Sequence, residues 1–186
     1  MGVWQNIKDF FAESKLRKIK QDRSRKVVNY HQARDIGVIY PSENESMYIL
    51  AKHFVDYLKK EHGISKVLAL GYIDAKEAPF YHAHVLMHDY FTAKEVNWFG
   101  YPSGQAVDSF VARDFDILID LSDGNNIPLR FVLERSHARF KVGRNLQRES
   151  YDLLIDMKEE STLDLYIRQM NHYLNAINHH EERQRV

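Results

Sequence analysis

The chain has 186 residues and a mass of 22.0 kDa, with 26 Lys/Arg against 26 Asp/Glu and no cysteine. That length suits one domain with a substantial core, and the missing thiols exclude disulfides, thiol chemistry and the commonest zinc ligands. No apolar run reaches the ~20 residues that span a bilayer, and the N-terminus lacks a signal-peptide apolar region, so a soluble cytoplasmic protein is expected.

Charge is unevenly spread. Residues 1–35 hold nine Lys/Arg and four Asp/Glu, and seven of those bases fall between Lys15 and Lys26 with only Asp22 among them. Val3, Ile7, Phe10, Phe11 and Ser14 recur at helical spacing, with Trp4 beside them, so a basic amphipathic helix is predicted from Val3 to about Tyr30. The expected arrangement packs that apolar stripe on the body and leaves Lys15, Arg17, Lys18, Lys20, Arg23, Arg25 and Lys26 as a solvated face. The same cations are the candidate anion-binding residues, for RNA, a ribosomal surface or lipid headgroups.

Ile36 to Tyr40 reads as a first strand stopped by Pro41. Ser42 and Glu45 have capping-box spacing, and Met47, Leu50, Ala51, Phe54 and Leu58 keep the helical period until Gly63 closes it. Lys66 to Ile73 is the second strand. Residues 74–103 are harder to read. If extended, His82, His84 and His88 share one face, a weak metal candidate set against the preferred reading of surface or half-buried histidines. Tyr90, Phe91, Trp98, Phe99 and Tyr101 read as core beneath a loop. Ser103 is the expected cap of a helix carrying Ala106, Val107, Phe110 and Val111.

Phe115 to Leu121 is an apolar run of the kind found in strands covered on both faces. Tyr151 to Met157 nearly copies it, so two central strands are expected, with parallel pairing. Between them, Ser122 to Asn126 is rich in turn and cap formers, Pro128 suits a first helical turn, and Arg139 to Val142 forms a strand ending at Gly143. Arg130, Arg135, Arg139, Lys141, Arg144 and Arg148 make a second basic concentration, with Glu134 its one acid. Of these, Arg139, Lys141 and Arg144 join the anion-binding candidates. Ser161 and Asp164 are read as caps of a last helix with Leu163, Ile167, Met170, Leu174 and Ile177 on one stripe, before a frayed charged tail over 179–186.

The expected fold is therefore α/β: a Rossmann-like three-layer arrangement with a largely parallel sheet and an added basic N-terminal helix. In this division residues 1–32 form the helix and 33–178 the domain. Ala33-Arg-x-Ile-Gly37, Leu70-Gly-Tyr72, Asn97-Trp-Phe-Gly100, the Phe115–Leu121 run and Ala138-Arg-Phe-Lys-Val-Gly143 together resemble an uncharacterised domain-of-unknown-function family of Bacteroidota proteins. That resemblance covers nearly the whole chain and implies no activity or site.

A shorter likeness, over about 30 residues, is to the first domain of bacterial heptosyltransferases. There a Tyr-Asp-Leu-x-Ile-Asp strand leads through a helix to a turn like Ser136-x-Ala138 and Lys141-Val142-Gly143. It implies the fold alone, because those enzymes bind their sugar nucleotide with a second domain for which this chain has no room.

Open α/β sheets bind ligands beyond the carboxyl ends of their strands. The candidates there are Ser42, Asp74, Asp120, Ser122, Asp123 and Asn125, residue types that also serve as ordinary helix caps. Carboxylates there could hold Mg²⁺ or act as a base, but no glycine-rich dinucleotide loop, phosphate-binding P-loop or nucleophile elbow occurs, so no cofactor is predicted and no catalytic residue is identified. A binding or scaffold module with an anionic partner is the favoured expectation. A small-molecule or nucleotide-binding enzyme and a peripheral membrane protein are the alternatives, and a protein partner or homodimer stays open.

Overall fold

The computed structural model describes residues 3–19, 23–82, 86–144, 150–157 and 162–177. Lys20, His84, Arg148, Ser161 and the 179–186 tail, all named above, lie outside the described residues. Among these residues six strands, β1 (Asp35–Pro41), β2 (Lys66–Ile73), β3 (His88–Thr92), β4 (Ile117–Asp120), β5 (Phe140–Arg144) and β6 (Leu153–Ile155), pair in parallel throughout. Their order is β3-β2-β1-β4-β5-β6. The chain works outward from β1 to one edge, then returns to place β4 on the other side of β1.

Period-two alternation gives each strand one set of side chains per face. Ile36, Val38 and Tyr40 of β1, with Ile117 and Ile119 of β4, pack under α2 (Glu45–His62) and α5 (Leu163–Ala176), through Phe54, Leu58, Met170 and Leu174. Ile39 and Leu118 face the opposite way, onto Val107 and Phe110 of α3 (Gln105–Val111) and Leu129, Val132 and Leu133 of α4 (Ile127–Arg135). Helices on both faces are what an all-parallel sheet requires, and the three-layer α/β expectation holds.

Several expectations are corrected. The first helix, α1 (Val3–Leu16), stops well short of Tyr30. Residues 23–29 instead run as an irregular strap: Lys26 N–H donates to the Arg139 carbonyl (3.1 Å), and the Asn29 amide donates to Ile177 O (2.9 Å). Val27 is 49% exposed and Val28 4%, so neighbouring residues point opposite ways, as in extended chain. Beyond Leu16 the apolar residues Ile19, Val27 and Val28 no longer keep the helical period, and tertiary contacts decide the segment.

The face of α1 is also reversed. Ala12 and Leu16 pack on Phe131 of α4, and Glu13 bonds both terminal nitrogens of Arg130, while Phe10 of the expected stripe and Trp4 beside it are 71% and 81% exposed.

Other differences are local. The cap of α2 is Asn44, whose side chain accepts from Met47 N–H, not Ser42. Gly104, not Ser103, precedes α3. β3 falls within the stretch read as histidines and loop aromatics, and β6 is a short edge strand rather than a central one. Gly63 does close α2, in left-handed conformation (φ 64°).

Candidate functional site

β1 and β4 are neighbours, yet α2 leaves β1 toward one face of the sheet and α4 leaves β4 toward the other. The diverging connections open a crevice at the carboxyl ends of the strands, at the point where strand order reverses. Its volume is about 480 Å³. Pro41, Glu43 and Met47 form one wall, Leu121, Asp123, Asn125 and Asn126 another, and Arg144 and Leu163 complete it.

Three helices begin here, each with its own side-chain cap. Asn44 caps α2, Asn126 caps α4 by accepting from Leu129 N–H (3.1 Å), and Thr162 caps α5 by accepting from Leu165 N–H (3.3 Å). Their partial positive ends favour negative charge in the crevice.

Arg144 is held from behind. Its Nε donates to the Ser122 carbonyl (3.1 Å), and its guanidinium carbon lies 5.4 Å from the Tyr166 ring centre. Its terminal nitrogens donate no hydrogen bond to any of the described residues.

Beneath the crevice floor is Asp120, fully buried. One carboxylate oxygen accepts from Ser122 N–H (2.7 Å), the other from the Tyr151 hydroxyl (2.7 Å), and the Tyr166 hydroxyl donates to the Asp120 carbonyl (3.0 Å). Burial pushes the Asp120 carboxyl above its ordinary range, against the opposing pull of the Tyr151 and Ser122 bonds and of Arg144. Burial likewise raises both tyrosines, which stay protonated and able to donate. The network fixes the loop that presents Ser122 O to Arg144.

The predicted strand-edge residues therefore separate. Asp123 and Asn125 sit on the crevice wall, where the Asp123 carboxylate accepts from Asn125 N–H (2.9 Å). Asp120 and Ser122 support it from below, and neither caps α4. Ser42 is turned away: its hydroxyl pairs with His82 Nε2 at 2.6 Å in a buried contact. Asp74 is exposed beyond β2 and accepts from the Tyr72 hydroxyl (2.9 Å). Sequence reasoning missed Glu43, Met47, Asn126 and Leu163. The Asn126-Ile127-Pro128 run was a legible helix start, but convergence of three such starts depends on strand order.

His82 and His88 are 7% and 6% exposed and lie beside the Tyr48 ring. Burial lowers the pKa of both. No cluster of three metal-ligating side chains occurs among the described residues.

The basic candidates also divide. Lys15, Arg17, Lys18, Arg25 and Lys26 are exposed, and the half-exposed Arg139 lies 3.5 Å from Asp116. Arg23 is internal: it makes two bonds to the Asp152 carboxylate (2.7 and 2.9 Å) and reaches the Ala138 and Arg139 carbonyls. Lys141 is 2% exposed and donates to the Leu133 carbonyl, and burial pulls its pKa down to about 8. Neither presents a surface charge, because every inner strand position is covered and Asp152 needs a partner. Arg135 is committed to Asp108 and the Pro102 carbonyl.

No curated protein and no solved structure matches the chain. A family model, described as a family of unknown function (DUF6913), matches residues 8–177, in keeping with the resemblance seen in the sequence motifs. With that match covering most of its length, the chain belongs to the family of unknown function DUF6913.

Proposed function

We propose that this protein is a binding domain for a small ligand carrying a phosphate or carboxylate group, seated in the crevice between β1 and β4. The observation that carries the reading is Arg144. It stands on the wall of a 480 Å³ crevice at the strand-order reversal, held by Ser122 O and Tyr166, where three capped helices begin. An arginine held in this way offers paired donors to a planar or tetrahedral anion.

Glu43 and Asp123 on the same walls are acceptors, suited to hydroxyl or amine groups elsewhere on the ligand. A sugar phosphate or nucleoside monophosphate has both features. A dinucleotide fits less well, because the 41–44 connection contains no glycine to let a pyrophosphate approach the backbone. Binding is favoured over turnover because the described Ser–His pair, Ser42 with His82, is buried and off the crevice wall.

Thermal melting with inorganic phosphate, ribose 5-phosphate and adenosine monophosphate tests this. A ligand at a hundred times its dissociation constant stabilises by about 2.7 kcal/mol. At least one organic phosphate should raise the melting temperature, and Arg144→Ala should abolish the rise while folding normally. No response from any of them, or an equal response from the variant, contradicts the reading.

An RNA or ribosomal-surface partner is second in support. Lys15, Arg17, Lys18, Arg25 and Lys26 stay exposed for it, but it loses Arg23 and Lys141 to internal bonds.

A further inference from the structure

Among the described residues, the outward face of α1 gathers several large exposed apolar side chains. Trp4 is 81% exposed, Phe10 71%, Phe11 43% and Ile7 38%, and these positions recur at helical spacing on the side opposite Ala12 and Leu16. Trp98 extends the patch. It is 55% exposed and meets Phe11 edge to face at 5.3 Å, on a turn held by Asn97, whose side chain accepts from the Tyr101 and Phe99 N–H groups. Contiguous exposed aromatics of this kind mark an interaction surface.

Charge says what that surface meets. Lys8, Lys15, Arg17 and Lys18 are all exposed on or just beyond α1. The two acids of the helix lie toward the body: Asp9 is half-buried, and Glu13 is bonded to Arg130. On α1 itself, exposed bases therefore accompany the aromatic patch, and both of the helix's acids lie on the side toward the body. A second copy of the chain would bring four like charges against four, whereas an anionic lipid surface would satisfy them. Tryptophan and phenylalanine are suited to the boundary between headgroups and acyl chains.

We propose that α1 and Trp98 form a peripheral docking surface for anionic phospholipid bilayers, with Trp4, Phe10 and Phe11 entering the headgroup boundary and Lys8, Lys15, Arg17 and Lys18 meeting the lipid charge. Among the described residues no helix is long and apolar enough to cross a membrane, so the association is interfacial. It depends on apolar insertion and basic charge together, as single weak anchors do. The surface is separate from the crevice and does not rest on a ligand there.

Both tryptophans of the chain lie in this patch, so their emission reports on it directly. The full chain is mixed with vesicles of equimolar phosphatidylcholine and phosphatidylglycerol, with vesicles of phosphatidylcholine alone, and with single-stranded RNA. Co-sedimentation and a blue-shifted emission are expected with the anionic vesicles only, weakening as salt is raised. Phe10→Ser and Trp4→Ser should each weaken binding by about tenfold or more, since each removes a buried aromatic ring from the bound state. Their melting temperatures should match the parent, because both side chains face solvent.

Lys15→Glu combined with Lys18→Glu should abolish binding, and Arg144→Ala should leave it intact. The proposal is overturned if the parent does not bind anionic vesicles at low salt, or if the serine variants bind as well as the parent. RNA binding without vesicle binding would also overturn it. So would a serine variant that lowers the oligomeric mass or the melting temperature, since the patch would then pair copies or belong to the core.

Discussion

Asp120 ends β4 fully buried, with both carboxylate oxygens engaged. Its partners, Tyr151 and Ser122, come from separate elements, and nothing local announces them. Asp120→Ala leaves the Tyr151 hydroxyl buried without an acceptor and should cost roughly 1–3 kcal/mol. Asp123→Ala, at an exposed turn, should stay within about 0.5 kcal/mol of the parent. Chemical denaturation of the pair checks the contrast, and equal losses would contradict it.

Gly143 belongs to the same network, because a Cβ there would run into the Tyr151 ring, and Gly143→Ala should unseat that ring at a cost of roughly 1–3 kcal/mol. Lys141 carries a pH signature. In the unfolded chain it keeps its proton to its ordinary value of 10.5, but in the fold only to about 8. Between those values the unfolded state holds more protons, so stability should rise as pH climbs from about 8. Above about pH 10 the buried hydroxyls of Tyr40 and Tyr72, pushed upward by burial, oppose the rise. Lys141→Met should flatten the curve between pH 8 and 10 and be at least as stable at pH 7. Thermal melts across that range decide the matter.

Among the elements, α1 and the strap behind it depart most from the sequence reading. Apolar spacing identified a helix but could not say which side faces the body. Ala12 and Leu16, small and few, form the contact, while the larger stripe is turned out. The strap was invisible because its order comes from distant carbonyls and from Asp152. Arg23, which looked like one cation among seven, is 4% exposed at its side chain and clamps that carboxylate. Arg23→Ala should therefore lose roughly 3 kcal/mol, the cost of stripping one partner from a buried pair. Arg17→Ala, on the exposed side, should not change the midpoint of urea unfolding. Unchanged midpoints in both variants would mean that the strap is a solvated basic arm after all. β3 escaped notice for a different reason: its five residues include His88 and Asp89, and edge strands tolerate such side chains.

At the scale of the whole molecule, the parallel α/β class was legible because buried strands alternated with helical periods. Strand order was not. The Phe115–Leu121 and Tyr151–Met157 runs are near copies in sequence, yet β4 lies at the centre of the sheet and β6 at its edge, where Leu153 and Leu154 are only half-covered. The crevice follows from that order, since it forms where β1 and β4 send their helices to opposite faces. Asp123 and Asn125 could be anticipated there, but the conjunction with Glu43, Arg144 and three helix starts could not. Ligand binding in the crevice is tested most directly by an amide chemical-shift titration of the full chain with adenosine monophosphate or ribose 5-phosphate. Saturable shifts are expected at Glu43–Met47, Asp123–Leu129, Arg144 and Leu163, and they should be lost in Arg144→Ala. Saturable shifts centred on α1 or the 23–29 strap, or none at millimolar ligand, would contradict binding there.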